Sequence, residues 1–279
     1  MFVPGYFPKV VWAFILFCLL SSSIYVFNDI VDIPSDRQHP FKKNRPIASG
    51  KMPIDLAIFL FIFLGGISLW LALMTSTFFF AAMGTYFLLN ILYTLWWKKV
   101  PILDVFVIAA GFVLRIYAGS FVINVHMDVW FLLTVVSASL FLAVGKRRSE
   151  MTLLSGSKIE AKQLRATLIH YTPVLLDAYT SMFANTTWLT YAFFTFLHPP
   201  FTAEGKVLKL FSLLPRTLIM DKWLMATIPV VIFGVMRYMQ LIYEKNEGES
   251  PHKVIMSDKP LLFVVGLWGV MVVAILYFT

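Results

Sequence analysis

The sequence predicts an all-α membrane protein, a single polytopic bundle of transmembrane helices. Hydrophobic residues occupy 59% of the 279 positions and charged residues only 14%, a balance that excludes an ordinary soluble domain. Eight apolar segments each approach the ~20 residues needed to cross a hydrocarbon core, and no polar region between them is large enough for a separate domain. We therefore expect residues 1–279 to form one integral-membrane domain.

The eight predicted helices alternate with polar loops along the whole chain. They span roughly 10–27, 54–73, 77–96, 101–122, 129–145, 172–197, 223–243 and 261–278. The loop 198–222 is longer and mixes apolar residues with four cations. That mixture favours an amphipathic helix lying in the membrane interface.

The distribution of lysine and arginine predicts the orientation of the bundle. Loops 28–53, 97–100, 146–171 and 244–260 would share one side and carry 16 of the 23 basic residues, against five on the other side. This bias makes the first side cytoplasmic. The formal net charge of +8 is therefore explained by membrane topology, so we expect a lipid bilayer and no nucleic acid as partner.

An acidic motif, N-D-I-V-D-I-P-S-D, directly follows the first predicted helix. Asp29, Asp32 and Asp36 are spaced at i, i+3 and i+7, so they would share one helical face. Carboxylates are costly beside a bilayer and repel one another unless a cation lies between them. Hard oxygen ligands of this kind suit Mg2+, which often bridges to substrate phosphates. We predict these three residues as metal ligands and catalytic residues at the cytoplasmic surface, with Asp29 and Asp32 on the helix as the main ligands and Asp36 contributed by the loop after it.

Polar and basic residues around this motif complete the predicted phosphate site. Asn28 precedes the first carboxylate, and Lys42 and Arg45 follow in the same loop. Carboxylates for a metal and cations for phosphate oxygens recur in phosphate-ester sites. Attraction to lipid headgroups is the alternative reading of the lysines. Pro34 lacks an amide hydrogen and should end or kink the helix near Asp32.

The fourth predicted helix carries an acid at its start and a base near mid-membrane. Asp104 follows the pair Lys98 and Lys99, and Arg115 lies 11 residues further on, so both side chains can face the same side of the helix. An arginine at this depth suggests a functional site. We predict substrate binding for Asp104 and Arg115, and a structural ion pair is the alternative for Arg115.

A second group of cations, in the stretch G-K-R-R-S-E, follows the fifth predicted helix. Adjacent helical residues fan over about 200 degrees, so three neighbouring cations cannot all point inward. We predict phosphate binding here, and topology alone is the alternative. Asp177, inside the sixth helix, is either a site residue or half of a structural pair. The predicted substrate-binding residues of this region are Lys146, Arg147, Arg148, Glu150 and Asp177.

The acidic motif followed by R-P-I-A-S-G resembles the UbiA-type intramembrane prenyltransferase superfamily. Four stretches resemble its decaprenyl-phosphate phosphoribosyltransferase branch more specifically. They are S-S-S-I-Y-V-F-N-D-I-V-D-I-P-S-D-R-Q-H-P, D-V-F-V-I-A-A-G-F-V-L-R-I-Y-A-G, G-K-R-R-S-E and E-S-P-H-K-V-I-M-S-D-K-P, and they cover positions 21 to 260.

This resemblance implies a fold, a reaction and a location. The family fold has nine helices around a cytoplasm-facing cavity and opens with an R-P-x-Q-W-x-K-N segment. This sequence has eight predicted helices and no such segment, so we expect a misassigned start or a truncation. The implied reaction is Mg2+-dependent transfer of 5-phosphoribosyl from phosphoribosyl diphosphate to a polyprenyl phosphate, releasing diphosphate. It would supply cell-envelope polysaccharide precursors at the bacterial cytoplasmic membrane.

Two other functions predict different sequence features. A UbiA-type prenyltransferase acting on an aromatic or tetrapyrrole acceptor needs a second aspartate-rich motif, D-x-x-x-D, after the fifth or sixth helix. The loop after the fifth helix reads G-K-R-R-S-E-M-T-L-L-S-G-S-K-I-E and has no such motif. A transporter or flippase predicts internal repeats of the span pattern, which the sequence lacks. Cations in place of carboxylates favour a sugar-phosphate donor over a prenyl diphosphate.

Overall fold

Long α-helices make up almost all of the structure, a computed structural model that describes residues 5–38, 42–155, 168, 170–198, 222–244 and 256–278. No strand occurs in these ranges. The helices are α1 (Tyr6–Val31), the short α2 (Ile33–Asp36), α3 (Ile54–Thr75), α4 (Thr77–Leu95), α5 (Leu103–Ile123), α6 (Val129–Ser155), α7 (Pro173–Leu197), α8 (Ile228–Glu244) and α9 (Lys259–Phe278). The predicted amphipathic helix in 198–222 lies almost wholly outside the described residues.

Each of the eight predicted spans corresponds to a long helix, which confirms the all-α membrane bundle. Seven of them, all but α7, are long and apolar enough to cross a membrane. Helix α7 is continuous, but its sequence contains polar residues among the apolar ones, including Asp177, Asn185 and several threonines. The threonine hydroxyls bond backbone carbonyls one turn earlier, as Thr187 does to Phe183 at 2.7 Å. Hydroxyl groups that are hydrogen-bonded within their own helix are tolerated inside a membrane bundle.

Two helices extend beyond their predicted spans. Helix α1 continues to Val31, so Asn28 and Asp29 belong to its last turns and do not follow the helix. Helix α6 continues to Ser155, so the K-R-R-S-E stretch is helical and is not a loop. In α6 this follows from helix propensity, because lysine, arginine and glutamate are good helix formers. In α1 the helix continues until the turn before Pro34.

The chain forms two compact units, and the first contains α1 to α5. This α1–α5 unit comprises residues 4–127 and 153–175. Its core is built from buried residues of α1, α4 and α5, such as Leu16, Leu20, Phe79, Met83 and Ala118. Small residues also let α1 approach α3, because a Cβ on Gly65 would lie only 2.9 Å from the Ser23 hydroxyl oxygen. Close approach through small residues is how membrane helices associate.

The second unit, the α6–α9 unit, comprises residues 1–3, 128–152 and 176–279. Phe141, Tyr238 and Ile242 belong to its buried core. Gly145 lets α6 approach α8 closely, since a Cβ there would lie 2.7 Å from Cδ1 of Ile242.

Candidate active site

The acidic motif is shaped by the end of α1 and the proline that follows. Helix α1 ends at Val31 and Asp32 caps it, as the position of Pro34 predicts. The chain then starts the short α2 with Pro34 in its first turn. The backbone N–H of Asp36 donates to the carbonyl of Asp32 at 2.8 Å. The motif is therefore a nearly continuous helical segment, and Asp36 at its end is only 3% exposed.

Arg45 joins two of the three predicted carboxylates. Its Nη1 lies 2.7 Å from Oδ1 of Asp29 and 2.9 Å from Oδ2 of Asp36. Because one nitrogen contacts both, the two carboxylates converge on a single point. The third, Asp32, forms its ion pair with Lys98 instead. The structure therefore brings Asp29 together with Asp36, and not with Asp32 as expected, and it places Asp36 in the short helix α2 instead of a loop. Metal binding by the three aspartates stays a prediction.

The loop after the motif holds Arg45 in place by local hydrogen bonds. Arg37 Nε donates to the carbonyl of Ala48 at 3.1 Å, which fastens the R-P-I-A-S-G turn to the acidic segment. The amide of Ser49 donates to the carbonyl of Arg45 at 2.9 Å. Gly50 has φ of 79°, a left-handed conformation that glycine adopts without strain. This turn therefore positions the guanidinium over the carboxylates.

The donor set suits a hard cation bound through two carboxylates. Within the described part of the chain, no three His, Cys, Asp or Glu side chains form a cluster able to hold a metal. Mg2+ usually takes one or two carboxylates, keeps several waters and shares substrate phosphates, so it does not need such a cluster. Asp29 and Asp36, which already share one cationic nitrogen, fit this requirement.

A second loop meets the acidic motif from the end of α4. Lys98 Nζ donates to Oδ1 of Asp32, and both side chains are mostly shielded from solvent. Nearby, the buried Thr94 donates to Oδ1 of Asn28 at 3.4 Å. The loops after α1 and α4 therefore lie at the same end of the α1–α5 unit, as the charge pattern predicts.

Asp104 is fully buried at the start of α5. The hydroxyl of Tyr171 donates to its Oδ1 at 3.0 Å and accepts the N–H of Ile102 at 2.6 Å. A carboxylate in the first helical turn is also stabilised by the helix dipole. Asp104 is therefore tied to the loop before its own helix and to the chain preceding α7.

Arg115 lies among aromatic side chains. Its guanidinium donates to the hydroxyl of Tyr86 and lies 4.9 Å from the centre of that ring and 5.4 Å from the Phe112 ring. No carboxylate of the described residues lies within salt-bridge distance of it. The alternative of a structural ion pair is therefore not met in this part of the chain, and substrate binding by Arg115 stays a prediction.

In the α6–α9 unit, two of the predicted phosphate-binding arginines contact carboxylates. Arg147 is fully buried and donates to Glu150, one turn on, at 3.0 Å. Arg148 forms an ion pair with Asp177 of α7 and lies 5.2 Å from the Tyr243 ring. Asp177 thus matches the structural-pair alternative. Phosphate binding by Lys146, Arg147 and Arg148 stays a prediction.

Known proteins resemble this chain over nearly its full length. The sequence model of the UbiA prenyltransferase family matches residues 3–267. The chain belongs to the UbiA prenyltransferase family. This membership confirms the predicted resemblance and the prediction of a membrane-embedded transferase.

Two relatives of this UbiA family member carry the same name. A decaprenyl-phosphate phosphoribosyltransferase from Corynebacterium glutamicum is 30% identical over 95% of this chain and 75% of its own length. One from Mycolicibacterium smegmatis is 30% identical over 97% of this chain and 81% of its own.

Solved structures share the fold. A UbiA homolog from Archaeoglobus fulgidus bound to GPP and Mg2+ superposes with a TM-score of 0.68, at 18% identity, over 96% of this chain and 87% of that one. The same protein bound to DMAPP and Mg2+ gives 0.67 at 17% identity, over 96% and 87%. At these identities the similarity establishes the fold of this UbiA family member.

Residues that sequence reasoning did not assign to the site also contact it. Lys98 and Tyr171 reach Asp32 and Asp104, and Thr94 supports Asn28. The sequence does contain a signal for Lys98, because its loop is predicted to lie on the same side of the membrane as the acidic motif. Neither Thr94 nor Tyr171 stands in a motif, so only the folded chain reveals them.

Proposed function

We propose that this protein transfers a 5-phosphoribosyl group from phosphoribosyl diphosphate to a polyprenyl phosphate. The observation that carries the proposal is the joining of Asp29 and Asp36 through Arg45, which puts anionic metal ligands and a phosphate-binding cation at one point. Two relatives named decaprenyl-phosphate phosphoribosyltransferase, each 30% identical over at least 95% of this chain, support the choice of substrates.

The donor diphosphate would bind at the acidic motif together with Mg2+. Asp29 and Asp36, with Asp32 beside them, would hold the ion, and Asn28 would orient the first carboxylate. When bound, Mg2+ supplies Lewis-acid neutralisation of charge on the departing diphosphate. Arg45 contacts both carboxylates and could turn to the phosphate oxygens once a metal replaces it. A planar guanidinium suits such bidentate phosphate contacts.

The reaction needs no nucleophile from the protein. An oxygen of the lipid phosphate, ionised at neutral pH, forms a bond to the anomeric carbon of the ribose. The bond from that carbon to the diphosphate breaks, and diphosphate leaves with its electron pair. The protein contributes by positioning both phosphorylated substrates and by stabilising the charge that develops on the leaving group.

The remaining cations would bind the other phosphate groups. Lys42, Arg115, Lys146, Arg147 and Arg148 carry this role in the proposal. Glu150 would position its partner Arg147, and Asp177 its partner Arg148. The absence of a second aspartate-rich motif in the sequence after α6 supports a donor with a separate sugar phosphate. A prenyl diphosphate concentrates its charge at one end and does not need a second cationic site.

The proposal includes a location. The protein would be a single integral-membrane domain of the bacterial cytoplasmic membrane, with the acidic motif facing the cytoplasm. This side carries 16 basic loop residues against five on the other. A soluble, highly charged donor is made in the cytoplasm, so a cytoplasmic site is required for this reaction. The product would enter cell-envelope polysaccharide synthesis.

Transfer of label tests the function directly. Membranes containing the protein are incubated with ribose-labelled phosphoribosyl diphosphate and a polyprenyl phosphate, with and without EDTA. We expect a labelled lipid that requires Mg2+ and is lost with EDTA. A parallel reaction contains a prenyl diphosphate and an aromatic acid. Prenylation of that acid without labelling of the lipid would reverse the assignment.

A further inference from the structure

The loop between α4 and α5 contains a strained turn at Ile102. Its φ is 68° and its ψ is −50°. The N–H of Leu103 donates to the carbonyl of Pro101 at 2.7 Å, which closes a three-residue γ-turn around Ile102. A γ-turn with positive central φ is rare and strained, and a β-branched residue in this region is an outlier. Something outside the turn must therefore hold it.

Tyr171 supplies the side-chain contact, in addition to the N–H groups of Val105 and Phe106, which donate to the carbonyl of Ile102 at 3.0 and 3.1 Å. Its hydroxyl accepts the N–H of Ile102 at 2.6 Å and donates to the fully buried Asp104 at 3.0 Å. Tyr171 itself is only 5% exposed. One buried hydroxyl therefore bonds the strained residue and the first turn of α5 at once. Strain of this kind persists only where the surroundings over-determine it, and it clusters at functional sites.

The turn also determines where Lys98 lies. Lys98 belongs to the short 3₁₀ segment Trp97–Lys99, and Val100 and Pro101 connect it directly to Ile102. Val100 is extended, as expected before a proline, and the ring of Pro101 fixes its own φ. Because these linking residues are stiff, a change at Ile102 is transmitted to Lys98. Lys98 in turn forms the ion pair with Asp32 of the acidic motif.

We infer that Tyr171 is a positioning residue of the candidate active site: it holds the γ-turn at Ile102 and thereby keeps Lys98 on Asp32. The inference rests on the proposed function for its meaning in catalysis, but its geometric part does not depend on the reaction. Without the hydroxyl, Ile102 relaxes to negative φ, the loop shifts and Lys98 leaves the carboxylate. A glycine at position 102 accepts positive φ without strain and removes the need for Tyr171.

The experiment measures how fast an amine-reactive succinimidyl ester acylates Lys98 in the full-length protein in nanodiscs. Mass spectrometry compares Lys98 with the exposed Lys51 in the same sample. Tyr171→Phe should raise the labelling rate of Lys98 roughly tenfold, as expected for losing one charge-assisted hydrogen bond. The double variant Tyr171→Phe/Ile102→Gly should return that rate towards the wild-type value. Tyr25→Phe, which removes the hydroxyl of a 68% exposed residue, is the matched control and should leave the rate unchanged.

The outcomes separate this inference from the proposed function. Equal labelling of Lys98 in wild type and Tyr171→Phe, or no rescue by glycine, overturns the positioning role even if transfer activity is found. Where transfer activity is found, Tyr171→Phe should also raise the KM for the sugar donor, and the glycine should restore it. If Tyr171→Phe does not fold, a folded double variant supports the inference and an unfolded one overturns it.

Discussion

Lys98 forms an ion pair with Asp32, 66 positions earlier in the chain. The contact connects the loop after α4 to the acidic motif at the end of α1, so the candidate site is assembled from two separate loops of the α1–α5 unit. Both side chains are mostly shielded from solvent, and a pair in such surroundings is screened less than a surface pair. It therefore provides a sensitive point at which to test the site.

Replacing Lys98 should impair transfer, whereas replacing its neighbour should not. Lys98→Gln keeps the length of the side chain but leaves Asp32 without its cation. Because a hydrogen bond to a charged group contributes about 1.5–3 kcal/mol, we expect phosphoribosyl transfer to fall by about tenfold or more. Lys99→Gln removes the adjacent, exposed cation and should retain near wild-type activity. Equal losses of transfer activity in both variants would indicate that Lys98 only helps to set the membrane topology of the chain.

Arg45 should compete with Mg2+ for the same two carboxylates. Arg45→Gln removes the cation that contacts Asp29 and Asp36, so their mutual repulsion would favour Mg2+ more strongly. We expect MgCl2 to raise the unfolding temperature of this variant more than that of the wild type, while donor binding weakens. Lys43→Gln, at an exposed position in the same loop, serves as the control. A smaller Mg2+ response in Arg45→Gln than in wild type would contradict a metal site at these carboxylates.

Arg115 should be required for activity but not for stability. It contacts the Tyr86 hydroxyl and two aromatic rings, and no described carboxylate neutralises it. A charge in a membrane span is costly, so Arg115→Leu should keep or raise the unfolding temperature in detergent. Transfer should nevertheless fall by about tenfold or more through loss of a phosphate contact. A destabilised variant with full activity would assign Arg115 a structural role.

Gly145 should be needed for the packing of α6 on α8. A methyl group there would lie 2.7 Å from Cδ1 of Ile242 and 3.3 Å from Cε1 of Tyr238. We expect Gly145→Ala to destabilise the protein by about 1–3 kcal/mol, the usual cost of overpacking. Gly84→Ala is the control, since a Cβ on Gly84 has no neighbour within 4 Å. Equal thermal unfolding of the two variants would show that α6 and α8 do not need this close approach.

The helices were predictable because their signals are local. Apolar length gave the eight spans, and Pro34 marked the end of α1 through its missing amide hydrogen. The predicted end of the fifth span, before Lys146–Glu150, came too early in the sequence. Its charged residues were read as the start of a loop, although lysine, arginine and glutamate have good helix propensity and long side chains that can extend to a polar surface.

The polar pairings inside each unit were not predictable from the sequence. Asp32 with Lys98, Asp104 with Tyr171 and Arg148 with Asp177 join positions 66, 67 and 29 residues apart. Such contacts depend on how helices pack, and hydrophobic periodicity carries no information about which polar partner meets which. The pattern of charges did predict that the loops after α1 and α4 lie at the same end of the α1–α5 unit. This feature follows from membrane topology alone.

The most direct test of the central claim compares two aspartate variants in the labelled-lipid assay. Asp29→Asn removes a proposed metal-ligand charge at the point shared with Asp36, and Asp55→Asn removes an exposed charge at the start of α3. Membranes with equal amounts of each protein receive labelled phosphoribosyl diphosphate, polyprenyl phosphate and Mg2+. We predict that Asp55→Asn forms labelled lipid at the wild-type rate and that Asp29→Asn forms almost none. Full transfer by Asp29→Asn would contradict the assignment of the acidic motif as the catalytic centre.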